Sequence, residues 1–341
     1  MGGKVGMFKF VRLTSGLPLL VALSLVSCGG KDRSAVKPQS KGLPSELLLV
    51  TDRAVGESDV MDSLNALTQE NMAEVMQPEP MFRVLRVSKR NYARRHMTMH
   101  TKLFVTLDAS LSKPMMGVAH DVSATPQTEV TLSAPNLQEL RLFLSRHKRE
   151  LTDALLDGQL LVRMADLRKH HNAHVYNEVR KYMGLSVFVP QNVCAVKRGK
   201  RFLWAGSNLQ ERDLNVVIYE FPDDGSVMRS EAKLVEKRDS VMKCNIPGER
   251  KGQWMQTSRV DGNPLVVCRE RCFEGRRFVE MRGMWDVRNA PIGGPFIALF
   301  SLDTARHTVL AAEGFVYSPS TGKRDLLRLL EASLLTIKKQ K

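Results

Sequence analysis

The sequence predicts an α+β protein with two α+β halves, antiparallel sheets packed against helices, after a signal peptide and a flexible tether. Three observations predict it. A chain of 341 residues, 43% hydrophobic and 26% charged, is a folded body long enough for about two domains. Strand-like and helix-like runs follow one another as strand, helix, three strands and helix, then as three strands, a helix, further strands and a last helix. The texture of the chain changes near Gly184, where a long helical stretch gives way to a strand meander. These values exclude disordered, collagen-like and multi-span membrane classes.

The N-terminus reads as a signal peptide. Lys4, Lys9 and Arg12 form a basic region without an acid, and the apolar stretch Leu17–Val26 after it is too short for a stable bilayer span. Next comes Leu25-Val26-Ser27-Cys28-Gly29, which resembles the lipobox of bacterial lipoproteins. That resemblance implies a thiol acylated at Cys28, cleavage just before it and fatty acyl chains, palmitate among them, holding the mature protein at a membrane. Residues 1–27 are the leader, and removing them lowers the net charge from +15 to +12. Residues 28–43 are the lipidated cysteine and a tether rich in Gly, Ser, Pro and Lys. No Asp follows Cys28, so the expected location is the bacterial envelope, at the outer membrane facing the periplasm or the cell surface.

The first half is expected over residues 44–183. Ser45–Thr51 is a short apolar strand, and Asp59–Met76 has helical spacing and ends at Gln77-Pro78-Glu79-Pro80. Phe82–Val87 and Lys102–Leu107 are strands around the basic stretch Ser88–His100, and Gln127–Ser133 alternates as a half-buried strand. Asn136–Leu156 is an amphipathic helix with Leu137, Leu140, Leu144, Leu151 and Leu155 near one face; Gly158 separates it from a basic helix over Leu160–Met183. The second half spans residues 184–341. Leu185–Val196, Arg201–Ala205 and Asn215–Glu220 form a meander, a helix follows at Ser230–Met242, and Phe278–Trp285, Pro295–Leu302 and Thr308–Tyr317 are strands before the closing helix Lys323–Ile337.

With Cys28 lipidated, Cys194, Cys244, Cys268 and Cys272 remain, and four cysteines pair in three ways. On an extended strand Cys268 and Cys272 stand over about 10 Å apart, so one disulfide or none is expected. No Cys/His spacing fits zinc, and His170 and His174, one helical turn apart, lack the Glu of a zincin motif. Neither metal nor cofactor is expected.

The strings Met281-Arg282-Gly283-Met284-Trp285-Asp286, Gly293-Gly294-Pro295-Phe296 and Glu313-Gly314-Phe315-Val316-Tyr317-Ser318-Pro319 carry a resemblance, together with Lys323-Arg324-Asp325 and Leu329-Leu330-Glu331-Ala332. Upstream, Ala124-Thr125-Pro126-Gln127, Val189-Pro190, Arg238-Asp239 and Pro247-Gly248 agree. The chain is similar, over about residues 44–338, to the domain-of-unknown-function 4837 (DUF4837) family of bacterial lipoproteins. That resemblance implies a lipoprotein and assigns no activity.

Alternation along the strand puts Arg282, Met284 and Asp286 on one face and Gly283 and Trp285 on the other. Arg282, Trp285 and Asp286 are candidate ligand-binding residues, set against a plainer reading in which Trp285 fills the core and Gly283 admits a neighbouring backbone. Arg324 and Arg328 share one face of the last helix, where cations near its start oppose the macrodipole unless they hold an acid such as Glu313 or a bound anion. No GxSxG occurs, and no catalytic residue is assigned. Residues 141–201 hold 13 Lys+Arg and 5 Asp+Glu, a local excess of +8 that favours an anionic envelope polymer or a partner protein over nucleic acid. The expected function is a membrane-anchored, non-catalytic binding or structural module. The alternative is a lipid-anchored periplasmic hydrolase of glycan or peptide with an active site near Arg282, Asp286 and Glu313.

Overall fold

The computed structural model describes residues 9–10, 37–223 and 225–340, so the leader apart from residues 9–10, Cys28 and the tether up to residue 36 lie outside the described residues. The protein is α+β, and the described chain divides into two compact units, one ending at Gln159 and the other holding Gln69–Met81 with Leu160–Lys341.

In the first unit the strands are β1 (Glu46–Thr51), β2 (Arg83–Ser88), β3 (Thr101–Leu107), β4 (Met115–His120) and β5 (Thr128–Ala134). They lie in the order β4-β5-β3-β1-β2, and the short stretch Lys9–Phe10 pairs along the outer edge of β4. Here the structure departs from the expected antiparallel arrangement. β1 runs parallel to both β2 and β3, β3 runs parallel to β5, and only β4 is antiparallel to its neighbour β5. The physical reason lies in β1 itself: Leu47, Leu48, Leu49 and Val50 are all buried, as befits a central parallel strand covered on both faces. A crossover carrying helix α1 (Val60–Thr68) returns the chain from β1 to β2, and helix α2 (Leu137–Arg146) follows β5. Asp52, just past β1, accepts hydrogen bonds from Val55 N at 2.8 Å and Leu107 N at 2.7 Å, tying the end of β1 to that of β3.

Three boundaries differ from the sequence reading. Helix α1 stops at Thr68, and Gln69–Met81 leaves the first unit so that Met72 and Val75 are buried in the core of the second. Gly158 does not end a helix. Helix α3 (Lys148–Lys169) runs through it, because a Cβ there would lie 2.7 Å from Thr128 Cβ, so the glycine lets helix and strand approach. The breaks fall at His147 and after Lys169, where Asn172 accepts from Val175 N and caps helix α4 (Ala173–Met183). The division between units therefore lies inside α3 and not at Gly184: Leu160, Met164, Leu167, Val175 and Val179 are all buried in the second unit's core.

The second unit is built on one antiparallel sheet of β6 (Ala195–Gly199), β7 (Phe202–Gly206), β8 (Asp213–Pro222), β9 (Met255–Thr257), β10 (Val266–Phe273), β11 (Arg276–Val287), β12 (Ala290–Asp303) and β13 (Thr308–Tyr317). The order is β6-β7-β8-β13-β12-β11, with β9 and β10 both pairing with β11. The sheet is buried on both faces. Ile297, Leu299, Ala312 and Val316 share a core with helix α6 (Arg324–Leu335), while Phe296, Ala298, Phe300, Ala311 and Phe315 pack with Leu234, Val235 and Met242 of helix α5 (Glu231–Asn245).

Candidate functional site

Each face of this sheet buries an ionic network. Alternation places Glu280 and Arg282 of β11 together on the α6 side, where a hydrophobic residue would be the simpler choice. Arg282 donates from Nε to Glu280 Oε1 at 2.8 Å, from Nη1 to Glu74 Oε1 at 2.9 Å and from Nη2 to Glu331 Oε1 at 2.5 Å. Arg328 donates to the other Glu331 oxygen at 2.7 Å, and Arg269 donates to Glu280 at 2.8 Å. Glu280 and Glu331 are each 1% exposed. Burial alone would raise their carboxyl pKa values; the guanidinium of Arg282, with Arg271 beside Glu280 and Arg328 beside Glu331, outweighs it and holds both below the usual carboxylate range.

On the α5 side, Arg238 and Glu313 form a two-bond pair. Arg238 donates from Nε to Glu313 Oε2 at 2.9 Å and from Nη2 to Oε1 at 2.6 Å, and both side chains are 0% exposed. The remaining Nη1 donates to Thr257 Oγ1 at 2.9 Å, Thr257 in turn donates to Asp239, and the guanidinium lies 3.8 Å from the Phe296 ring centroid. Burial opposes the charge on Arg238, but Glu313 and Asp239 overcome it and raise its pKa.

Residues 172–336, which include both networks apart from Glu74, match the model of a domain of unknown function, DUF4837. The C-terminal half is a DUF4837 domain. Residues 40–164 match a separate model, another domain of unknown function (DUF8532), so the similarity expected across residues 44–338 is divided between two families. The two matches meet within a few residues of the division between the units. No curated protein matches the chain.

Within the DUF4837 domain the six candidate residues do not converge. Arg282 and Arg328 meet at Glu331, but Glu313 lies on the opposite face of the sheet, bonded to Arg238. Asp286 accepts from Gln256 Nε2 at 3.0 Å near the end of β11. Trp285 is 4% exposed and packs edge-on against Phe315 with centroids 5.3 Å apart, filling the core. Gly283 admits the backbone of Leu265, whose oxygen would lie 2.3 Å from an added Cβ. The active-site constellation of Arg282, Asp286 and Glu313 that the hydrolase alternative requires is therefore not formed.

Arg324 is 6% exposed and donates to Pro80 O at 2.7 Å and to Asp325 at 3.2 Å. The helix start that its charge opposes is capped by Glu79, whose carboxylate accepts from Lys323 N at 2.7 Å and Arg324 N at 3.0 Å. Residues to which the sequence reading gave no site role thus hold the candidates in place: Glu74 and Glu79 from the segment before β2, Glu280, Glu331 and Arg238. Two signals pointed to Glu280 and Glu331, the same-face spacing of Glu280 with Arg282 and the i,i+3 spacing of Arg328 with Glu331.

Cys194, Cys244, Cys268 and Cys272 are all free thiols. Burial, with Glu231 nearby, pushes the Cys268 thiol up to about 12. His170 and His174 do not share a helix, since α3 ends at Lys169, His174 lies on α4 and His170 bonds Asp166 at 2.8 Å. Among the described residues no group of three His, Cys, Asp or Glu side chains is placed to hold a metal ion, and no helix is long and apolar enough to cross a membrane.

Proposed function

We propose that the protein is a lipid-anchored lipoprotein of the bacterial envelope, held by acylated Cys28, and that its folded units act as a non-catalytic binding module. The observation that carries this reading is Leu25-Val26-Ser27-Cys28-Gly29 directly after a basic region and a short apolar stretch. Several acyl chains at about 0.8 kcal/mol per buried CH₂ hold a body at a membrane durably, where one chain would not. Cleavage before Cys28 also removes Lys9–Phe10 and leaves β4 as the sheet edge.

The binding role follows from where the charges sit. In the DUF4837 domain, buried Arg238 pairs with Glu313 and Arg282 with Glu280 and Glu331, which rigidifies it. Arg168, Lys169, Arg180 and Lys181 instead stand exposed along the ends of α3 and α4, and such a surface favours an anionic envelope polymer or a partner protein of matching charge. The outer membrane, at its periplasmic or outward leaflet, is the location that fits the absence of Asp after Cys28. Fractionation of cells carrying Cys28→Ser tests the anchor: the variant is expected in the soluble fraction, and retention with membranes would contradict the reading. Crosslinking in intact cells then identifies what the exposed face meets.

A further inference from the structure

We propose that the first unit carries a phosphate-binding cleft at the carboxyl ends of β1 and β2. It needs neither the anchor at Cys28 nor the exposed face of α3 and α4, so it stands or falls by itself. An open cleft of about 490 Å³ lies there, with Leu49, Met61 and Val87 among its walls and the side chains of Arg53, Arg86 and Arg90 around it. In open, mostly parallel sheets the carboxyl ends of the strands are where ligands sit, because the loops that leave the sheet there open a crevice.

Three arginines and two acids line the cleft, and Arg86 and Arg90 bring to it the edge of a wider basic run. The run Arg83–Arg95 (RVLRVSKRNYARR) holds six basic residues and no acid, and all six are exposed along edge strand β2 and the turns after it. The two acids in the cleft wall are already engaged. Asp52 accepts from Val55 N and Leu107 N, and Glu57 accepts from Arg53 Nε at 2.9 Å. Arg86 donates one Nη2 bond to Asn65 Oδ1 at 2.6 Å and keeps its other donors, while the Arg90 guanidinium has no partner among the described residues. Planar guanidinium forks match the oxygens of a phosphate two at a time, and several around one cleft suit its charge better than that of a carboxylate. The apolar wall accommodates a non-polar remainder. A soluble phosphoester and a phospholipid headgroup share this chemistry.

The test uses the full chain carrying Cys28→Ser, which bears no acyl chain of its own, with two probes: inorganic pyrophosphate by calorimetry, and co-sedimentation with phosphatidylglycerol/phosphatidylcholine vesicles. At least one probe is expected to bind, and to bind more weakly as salt rises from about 50 to about 500 mM. Arg86→Ala/Arg90→Ala is expected to weaken it about tenfold or more, with circular dichroism unchanged because both side chains are exposed, while Arg250→Ala/Lys251→Ala in the other unit leaves it intact. Pyrophosphate binding supports a soluble phosphate ligand, and vesicle binding alone supports a headgroup. Binding of neither probe, or binding that the Arg86/Arg90 variant leaves unchanged, overturns the proposal.

Discussion

Glu313→Gln is the sharpest probe of the buried framework. The change preserves volume but leaves the Arg238 guanidinium, 0% exposed, without its two-bond carboxylate. Removing one partner of a buried pair costs about 3–5 kcal/mol, since the other charge stays desolvated and uncompensated. Asp239 lies 3.4 Å from Arg238 Nη1 and is 21% exposed, so it recovers part of that loss and the lower end, about 3 kcal/mol, is expected. For a unit of this size that corresponds to a fall in Tm of about 6–12 °C. Trp204, Trp254 and Trp285 are the only tryptophans and all lie in the second unit, so their fluorescence follows the unfolding of that unit alone. Arg238→Met/Glu313→Leu removes both charges and keeps apolar contact with Phe296, and it is expected within about 1 kcal/mol of the parent or above it. A loss below about 1 kcal/mol in Glu313→Gln, or a double variant as unstable as the single one, would refute the reasoning.

Acid provides a second probe. Because Glu280 and Glu331 have carboxyl pKa values held below the ordinary range, their contribution is complete above the unfolded value of about 4.3 and is lost as pH falls toward the folded values. Tryptophan-detected stability should therefore drop steeply below about pH 4, and Glu280→Gln should be less stable at pH 7 with a flatter acid limb. Glu79→Ala removes the cap of α6 and should cost about 1–2 kcal/mol in the same assay. With its thiol pushed up to about 12, Cys268 should alkylate far more slowly at pH 8 than exposed Cys194, Cys244 and Cys272, as peptide mass spectrometry of a time course would show.

Strands and helices of the second unit were largely legible in the sequence, because β12 and β13 carry long apolar runs, β11 alternates and α6 has a clear amphipathic period. Strand direction was not. The unbroken run Leu47–Val50 marked a doubly covered strand, but the parallel partner of such a strand is set by crossovers that alternation does not encode. Gly158 misled because a glycine in a helical run reads as a breaker, whereas here the close approach of Thr128 requires it. The strands Met115–His120 and Val266–Phe273 escaped notice, the first without polar alternation and broken by Gly117, the second interrupted by Arg269, Glu270 and Arg271. As for the candidate site, the sequence named Arg282, Glu313, Arg324 and Arg328 but not their partners, since Glu74 and Glu79 lie about 200 residues or more away along the chain.

The most direct test of the anchor is the mass of the N-terminal peptide of protein extracted from bacterial membranes. The account predicts a peptide that begins at Cys28 and carries a diacylglycerol-sized addition on the thiol, with further acylation at its amino group. A peptide that retains residues 1–27, or an unmodified Cys28 in membrane-extracted protein, would contradict it.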